Sequence, residues 1–195
     1  MKRIASVLFV SAVMLLAAPA VQAAPMLFVT DLSDPEVPPN ASPGIGFASI
    51  AIDDVTHQMV VHIEFSGLLA PTTAAHIHCC TAVPGTGTVM VATELPVFTG
   101  FPLGVTFGTY DHTFDTTLAS TWNPAFVAGH GGTTLGAEAA LIAGMSGDMA
   151  YLNIHTQQFP GGEIRGFLQV PEPATLALLG CGLLMLGFAQ RRRLG

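Results

Sequence analysis

Apolar and polar side chains alternate in short runs through the middle of the chain, and turns rich in glycine, proline and aspartate separate the runs. The clearest run is residues 58–65, where Val61 and Ile63 fall on one face and His62 and Glu64 on the other. A period of two residues is typical of a strand that buries one face. By the same criterion we predict strands at residues 26–30, 45–52, 58–65, 74–78, 87–93, 149–156 and 163–170.

One segment has the period of a helix. Residues 135–145 place Leu135, Ala139 and Ile142 on one side, as in a helix that packs one face against a sheet. Residues 104–115 fit neither pattern clearly. Many short strands with a single helix indicate an all-β fold, an antiparallel β-sandwich or barrel with one short helix.

The N-terminus differs in composition from the middle of the chain. Lys2 and Arg3 precede an apolar run over residues 4–18, and small residues lead up to Ala23. This order is that of a secretory signal peptide, so we expect residues 1–23 to be removed by signal peptidase during export. The alternative is an uncleaved membrane anchor.

The C-terminus contains a second apolar run. Residues 174–189 carry no charge and are followed by Arg191, Arg192 and Arg193. The run approaches the ~20 residues that span a bilayer, and arginines after a span hold that end on the cytoplasmic side. We therefore expect one transmembrane segment at 174–189. A buried C-terminal helix is the weaker alternative, because the run has no polar face for water.

A short motif stands directly before this span. Pro171, Glu172 and Pro173, the apolar span and the arginine cluster follow one another in the order of the PEP-CTERM sorting signal of Gram-negative bacteria, which residues 171–195 resemble. The resemblance implies recognition and removal by the membrane enzyme exosortase. The chain would then be anchored transiently in the inner membrane and afterwards be displayed at the cell surface or released outside the cell.

The charge of the middle region limits its partners. The chain has 13 acidic and 6 basic residues; Glu172 and five of the basic residues lie in the two ends, which leaves twelve carboxylates against Arg165 alone. Residues 24–170 thus carry a formal net charge of −11 with neutral histidines. Binding to a phosphate backbone requires clustered lysine and arginine, so nucleic acid is excluded as a partner.

Three stretches of the middle region resemble the CHRD domain, a module first named in chordin and found in bacterial secreted proteins. They are EVPP at 36–39, FSGLLAPTTAAHIH at 65–78 and YLNIHTQQFPGGEIRG at 151–166. For residues 24–170 the resemblance implies an immunoglobulin-like β-sandwich or barrel. It also implies a binding or structural module of the cell surface or extracellular matrix, with a polysaccharide or protein partner and no catalytic activity.

The histidines suggest a second class of function. His76 and His78 lie two residues apart on a predicted strand, so both project from one face, where His155 of another strand can join them. Imidazoles in this arrangement bind copper or zinc, with Glu163 as an oxygen ligand or as a partner of the ligands. The pattern is loosely similar to copper–zinc superoxide dismutases but lacks their bridging histidine. The alternative function is therefore a secreted copper- or zinc-binding protein, with or without redox activity.

The same polar residues can instead form a structural network. Asn153 and Thr156 can hydrogen-bond the imidazoles, and Arg165 can hold Glu163 by a charge-assisted hydrogen bond. Such a network would tie the strands together without any metal. The remaining histidines are predicted to lie in turns or on solvent-facing surfaces, at positions 57, 62, 112 and 130.

Cys79 and Cys80 are adjacent and follow His78 directly. Thiols oxidise outside the cytoplasm, so a disulfide between these neighbours is one expectation. A disulfide to another chain and thiolate ligation of a metal are the alternatives. The third cysteine, Cys181, lies in the predicted membrane span and is removed as a partner if that segment is cleaved.

Overall fold

The computed structural model describes residues 24–34 and 40–172. The predicted signal peptide, the predicted membrane span and the arginine cluster lie outside these residues. No helix within the two described ranges is both long enough and apolar enough to span a bilayer.

Seven strands and two α-helices make up the described chain. In order they are β1 (Met26–Leu32), β2 (Ile45–Asp53), β3 (Gln58–Ser66), β4 (Thr72–His78), β5 (Gly108–Asp115), α1 (Pro124–Gly129), α2 (Thr134–Ser146), β6 (Tyr151–Thr156) and β7 (Ile164–Phe167), with a 3₁₀ turn at Ala119–Thr121 before α1.

The strands form two antiparallel sheets. The first has the order β1-β2-β3-β5 and the second the order β4-β6-β7. Isolated bridges from Val29 to Gln169 and from Ser33 to Arg165 link the edges of the two sheets. The predicted all-β antiparallel sandwich is confirmed.

The core consists of the inward side chains of both sheets. Val61 and Ile63 of β3 are fully buried, as their alternation with polar residues predicts. Ile77, Leu152 and Ile154 of the second sheet are also fully buried. The opposite faces of β4 and β6 are therefore left to their polar residues, which include the histidines.

One strand prediction needs correction, and one ambiguous stretch is resolved. Residues 87–93 make only isolated bridges, of Val91 to His78 and Thr93 to Trp122. The backbone of this segment meets β4 at single points instead of along a ladder: the Ala92 amide donates to the Ile77 carbonyl, while the Val91 carbonyl accepts from the Asn123 side chain. In the ambiguous stretch 104–115, strand β5 forms.

The predicted helix exists as α2, but its buried face was predicted wrongly. Leu135 is 54% exposed, while Ala137, Leu141 and Met145 are fully buried. Apolar residues surround the whole helix, so periodicity could not select its face. Glu138 is also buried, and its carboxylate forms hydrogen bonds with His57 and Thr116 at the ends of strands in the first sheet.

The structure adds a second helix, α1, to the single helix that the sequence predicts. Asn123 caps it by accepting a hydrogen bond from the Ala125 amide, and Pro124 occupies the first helical position. Both residues are typical of helix starts.

Candidate metal centre

Strands β4 and β6 bring three histidines to one face of the second sheet. Their antiparallel register places His76 opposite Asn153, His78 opposite Tyr151, and Ala74 opposite His155. Side chains of directly paired residues lie on the same face of a sheet, so the three imidazoles project to the same side.

The three rings lie close together. Ring centroids are 5.2 Å apart for His76 and His155, 5.7 Å for His78 and His155, and 6.1 Å for His76 and His78. One nitrogen of each ring lies within 4.8 Å of one nitrogen of the other two. His76 and His78 are buried although they point away from the core, because loops cover this face.

Backbone carbonyls fix the orientation and the tautomer of each ring. His76 Nε2 lies 2.8 Å from the Pro96 oxygen, His78 Nδ1 2.8 Å from the Val89 oxygen, and His155 Nδ1 2.8 Å from the Pro160 oxygen.

A carbonyl only accepts, so each of these ring nitrogens must carry the proton. The lone pairs of the neutral rings are then on His76 Nδ1, His78 Nε2 and His155 Nε2. Histidines that bind metals are held in this way, with the distal N–H donating to a carbonyl or carboxylate.

Polar atoms without partners are concentrated at this site. Among the described residues, the buried side-chain nitrogen and oxygen atoms without a hydrogen-bond partner are His76 Nδ1, His78 Nε2 and Asn153 Oδ1. His155 Nε2 has a long contact of 3.4 Å from Asn153 Nδ2. Since an unsatisfied buried polar atom costs about 1–3 kcal/mol, their accumulation in one place marks a site that can bind a ligand.

Burial keeps the imidazoles neutral. It lowers the pKa of both His76 and His78 to about 4, against the opposing effect of their carbonyl hydrogen bonds. It also lowers the pKa of His155. The three lone pairs are thus available near neutral pH without the loss of a proton.

A second layer of residues supports His78. The Tyr151 ring stacks on the His78 imidazole at 4.7 Å between centroids and 7° between planes. The Arg165 guanidinium lies 5.1 Å from the Tyr151 centroid and donates to the Gly87 oxygen. These contacts leave His78 little freedom to rotate.

The structure does not bring Glu163 to the histidines. Its Oε1 accepts hydrogen bonds from Ser42 Oγ at 2.7 Å and from the Leu69 amide at 2.5 Å, and its Oε2 accepts one from Thr156 Oγ1 at 2.7 Å. Thr156 follows His155 in the strand and therefore points to the opposite face. The prediction of Glu163 as a metal ligand is wrong for this geometry.

The proposed network is also divided. Asn153 approaches His155 as the hypothesis requires, whereas Thr156 donates to Glu163 and not to an imidazole. Arg165 pairs with Asn153 across β6 and β7 and lies beside Tyr151, on the histidine face. The two halves of the expected network thus occupy different faces of the sheet.

The adjacent cysteines face away from the histidines. Their sulfur atoms lie within bonding distance of each other, and the peptide bond between Cys79 and Cys80 is cis. The sulfurs lie 3.9 Å and 3.6 Å from the Ala140 oxygen of α2, respectively. The structure therefore separates them from the three-histidine group.

The remaining histidines have other surroundings. His62 Nδ1 lies 2.7 Å from Asp111 on the outer face of the first sheet, and His130 Nδ1 lies 2.8 Å from the Phe126 oxygen. His112 lies against the Phe114 ring, 4.4 Å between centroids.

His57 is more than a turn residue, which the sequence analysis missed. Its Nδ1 lies 2.9 Å from Glu138 Oε2, and Glu138 Oε1 accepts from Thr116 at 2.9 Å. Glu138 is a charged residue within the apolar run 135–145, so the sequence did indicate that a partner such as His57 is needed there.

Comparison with known proteins gives two matches. A family model described as the CHRD domain matches residues 28–168, and one described as the PEP-CTERM protein-sorting motif matches residues 169–193. No curated protein and no solved structure matches the chain. The sorting motif supports export, sorting to the cell envelope or surface, and processing by exosortase. Since the first match covers more than half of the sequence, the chain belongs to the CHRD domain family.

Proposed function

We propose that the exported domain is a non-enzymatic module of the cell surface that binds one transition-metal ion, copper or zinc, through His76, His78 and His155. The observation that carries this proposal is the common orientation of the three rings. Each uses one nitrogen to donate to a backbone carbonyl, and this leaves three lone pairs in one buried place.

The donor set matches the chemistry of these metals. Neutral imidazole nitrogens suit copper and zinc, whereas magnesium and calcium take oxygen ligands. With zinc–nitrogen distances of ~2.0–2.1 Å, the ligand atoms must approach to about 3.5 Å of one another. The present separations of up to 4.8 Å therefore require a small inward movement of the rings.

The surroundings favour binding over catalysis. In the described part of the chain, no carboxylate or thiol belongs to the group of ligand atoms. Glu163, the nearest candidate from the sequence, uses both oxygens elsewhere. A metal-bound water would thus lack a general base among these residues. An extracellular polysaccharide or protein partner for the same module stays a prediction.

The test is a zinc and copper titration of the mature protein purified from the envelope. We expect one ion per chain in wild type, and loss of binding in His76→Ala and in His155→Ala. His62→Ala is the matched control, because His62 lies on the other sheet beside Asp111. Wild-type protein that retains neither metal after desalting would contradict the proposal.

A further inference from the structure

The charge of the ligand set discriminates between the two candidate metals. Three neutral imidazoles cancel none of the charge of a bound ion. The cost of placing an ion in a low-dielectric site grows with the square of its charge, so an uncompensated dication costs about four times as much as a monocation. His76 and His78 are only 5% and 8% exposed, which makes this cost relevant here.

The neighbouring charges do not compensate for a dication. The Arg165 guanidinium lies 5.1 Å from the centre of the Tyr151 ring, which stacks on His78. Glu94 lies two residues before Pro96, whose carbonyl oxygen accepts from His76 Nε2. The Glu94 carboxylate accepts hydrogen bonds from the backbone amide and hydroxyl of Thr99. One cation and one engaged carboxylate therefore leave the site close to neutral.

Two aromatic rings border the site. Tyr151 stacks on His78, and the Phe98 ring lies 6.4 Å from His76, between centroids. Phe98 is fully buried. Aromatic rings do not replace the water ligands of an ion, so they disfavour a strongly hydrated ion more than a weakly hydrated one.

The number of ligands leads to the same result. Zinc takes four ligands in a tetrahedron, so three histidines would leave its fourth position to a water molecule, and copper(II) prefers four or more ligands in a tetragonal arrangement. Copper(I) is stable with two or three ligands. The described residues supply a group of three nitrogens.

We propose that the three-histidine centre is a copper(I) site, in which His76 Nδ1, His78 Nε2 and His155 Nε2 bind a three-coordinate monovalent ion in preference to zinc. This inference rests on the metal-binding function proposed above. It adds the identity and the oxidation state of the metal.

The experiment exposes the anaerobic mature protein to an equimolar mixture of copper(I) and zinc, followed by desalting and elemental analysis. We expect one copper per chain and only traces of zinc. X-ray absorption of the same sample should show copper(I) with three nitrogen neighbours. Because this readout uses wild-type protein, it does not depend on the folding of a variant.

The loaded protein is then exposed to air and examined by electron paramagnetic resonance. A silent spectrum supports copper(I). A copper(II) signal, or zinc retained in amounts similar to copper, overturns the inference but leaves the metal-binding function intact. If neither metal is retained, both proposals fail. His78→Gln should lose copper, and His62→Gln should keep it.

Discussion

The His78 imidazole and the Tyr151 ring lie parallel, directly opposite each other on β4 and β6. The same carbonyl, that of Val89, accepts from His78 Nδ1 at 2.8 Å and lies 3.4 Å from the Tyr151 hydroxyl. One aromatic plane and one carbonyl therefore hold the ring. This fixed orientation is what a metal ligand needs before the metal arrives.

The Tyr151 ring, more than its hydroxyl, should support metal binding. We expect Tyr151→Leu to lower the affinity about 10-fold, because residues that orient metal ligands typically contribute 10–100-fold. Tyr151→Phe keeps the stacking plane and should change the affinity much less. Competition with a chromogenic zinc chelator measures both. Equal losses in the two variants would show that stacking does not orient His78.

Glu163 should contribute to stability and not to metal binding. Its carboxylate accepts from Ser42, Leu69 and Thr156. In Glu163→Gln an NH₂ group replaces one of the two accepting oxygens and the negative charge is lost, so we expect a loss of about 1–3 kcal/mol in the free energy of unfolding. The metal stoichiometry should remain one per chain. Loss of metal from a folded Glu163→Gln protein would restore Glu163 as a ligand.

Gly162 is required beside Asn153. Its φ of +120° lies in the region that favours glycine, and a Cβ there would overlap the Asn153 side chain. We expect Gly162→Ala to destabilise the fold by about 1–3 kcal/mol in urea unfolding. Gly161→Ala is the control, because a Cβ at Gly161 meets nothing within 4 Å. Equal stability of the two variants would show that the backbone at Gly162 does not lie as close to the Asn153 side chain as the structure indicates.

Gly144 allows helix α2 to approach the cysteine pair. A Cβ at this position would meet the sulfurs of Cys79 and Cys80, the latter at 2.8 Å. We expect Gly144→Ala to cost about 1–3 kcal/mol by overpacking, despite the higher helix propensity of alanine. Gly129→Ala, where the space is open, should be close to neutral. Thermal unfolding of both variants measures the difference.

The metal-free protein should lose stability in mild acid. The pKa of His76 and His78 falls from 6.5 to about 4 on folding, so between these values the unfolded chain binds more protons. Stability therefore decreases as the pH falls through this window and is insensitive to these groups above it. At about pH 5.5 the loss is about 1 kcal/mol for each histidine.

Urea unfolding of chelator-treated protein across this pH range measures the effect. His76→Gln removes one titrating group and should flatten the profile. If the free energy of unfolding of the wild-type protein stays constant or rises as the pH falls from 6.5 to 4, the buried rings are not held neutral.

Strand alternation made part of the site predictable. The i, i+2 spacing of His76 and His78 and the alternation around His155 were sufficient to place three rings on one face. Glu163 was misplaced because it precedes β7 instead of lying within it, so alternation does not fix its side chain. The carbonyls of Pro96, Val89 and Pro160 left no signal, since every residue has a carbonyl and only loop geometry selects these three.

The most direct test of the central claim is long-range proton–nitrogen NMR of the histidine rings in the metal-free protein, followed by zinc titration. The structure predicts an Nε2–H tautomer for His76 and Nδ1–H tautomers for His78 and His155. Their three unprotonated nitrogens should shift together and saturate at one zinc per chain. Opposite tautomers, protonated rings at neutral pH, or ring nitrogens that neither zinc nor copper(I) shifts would contradict the account.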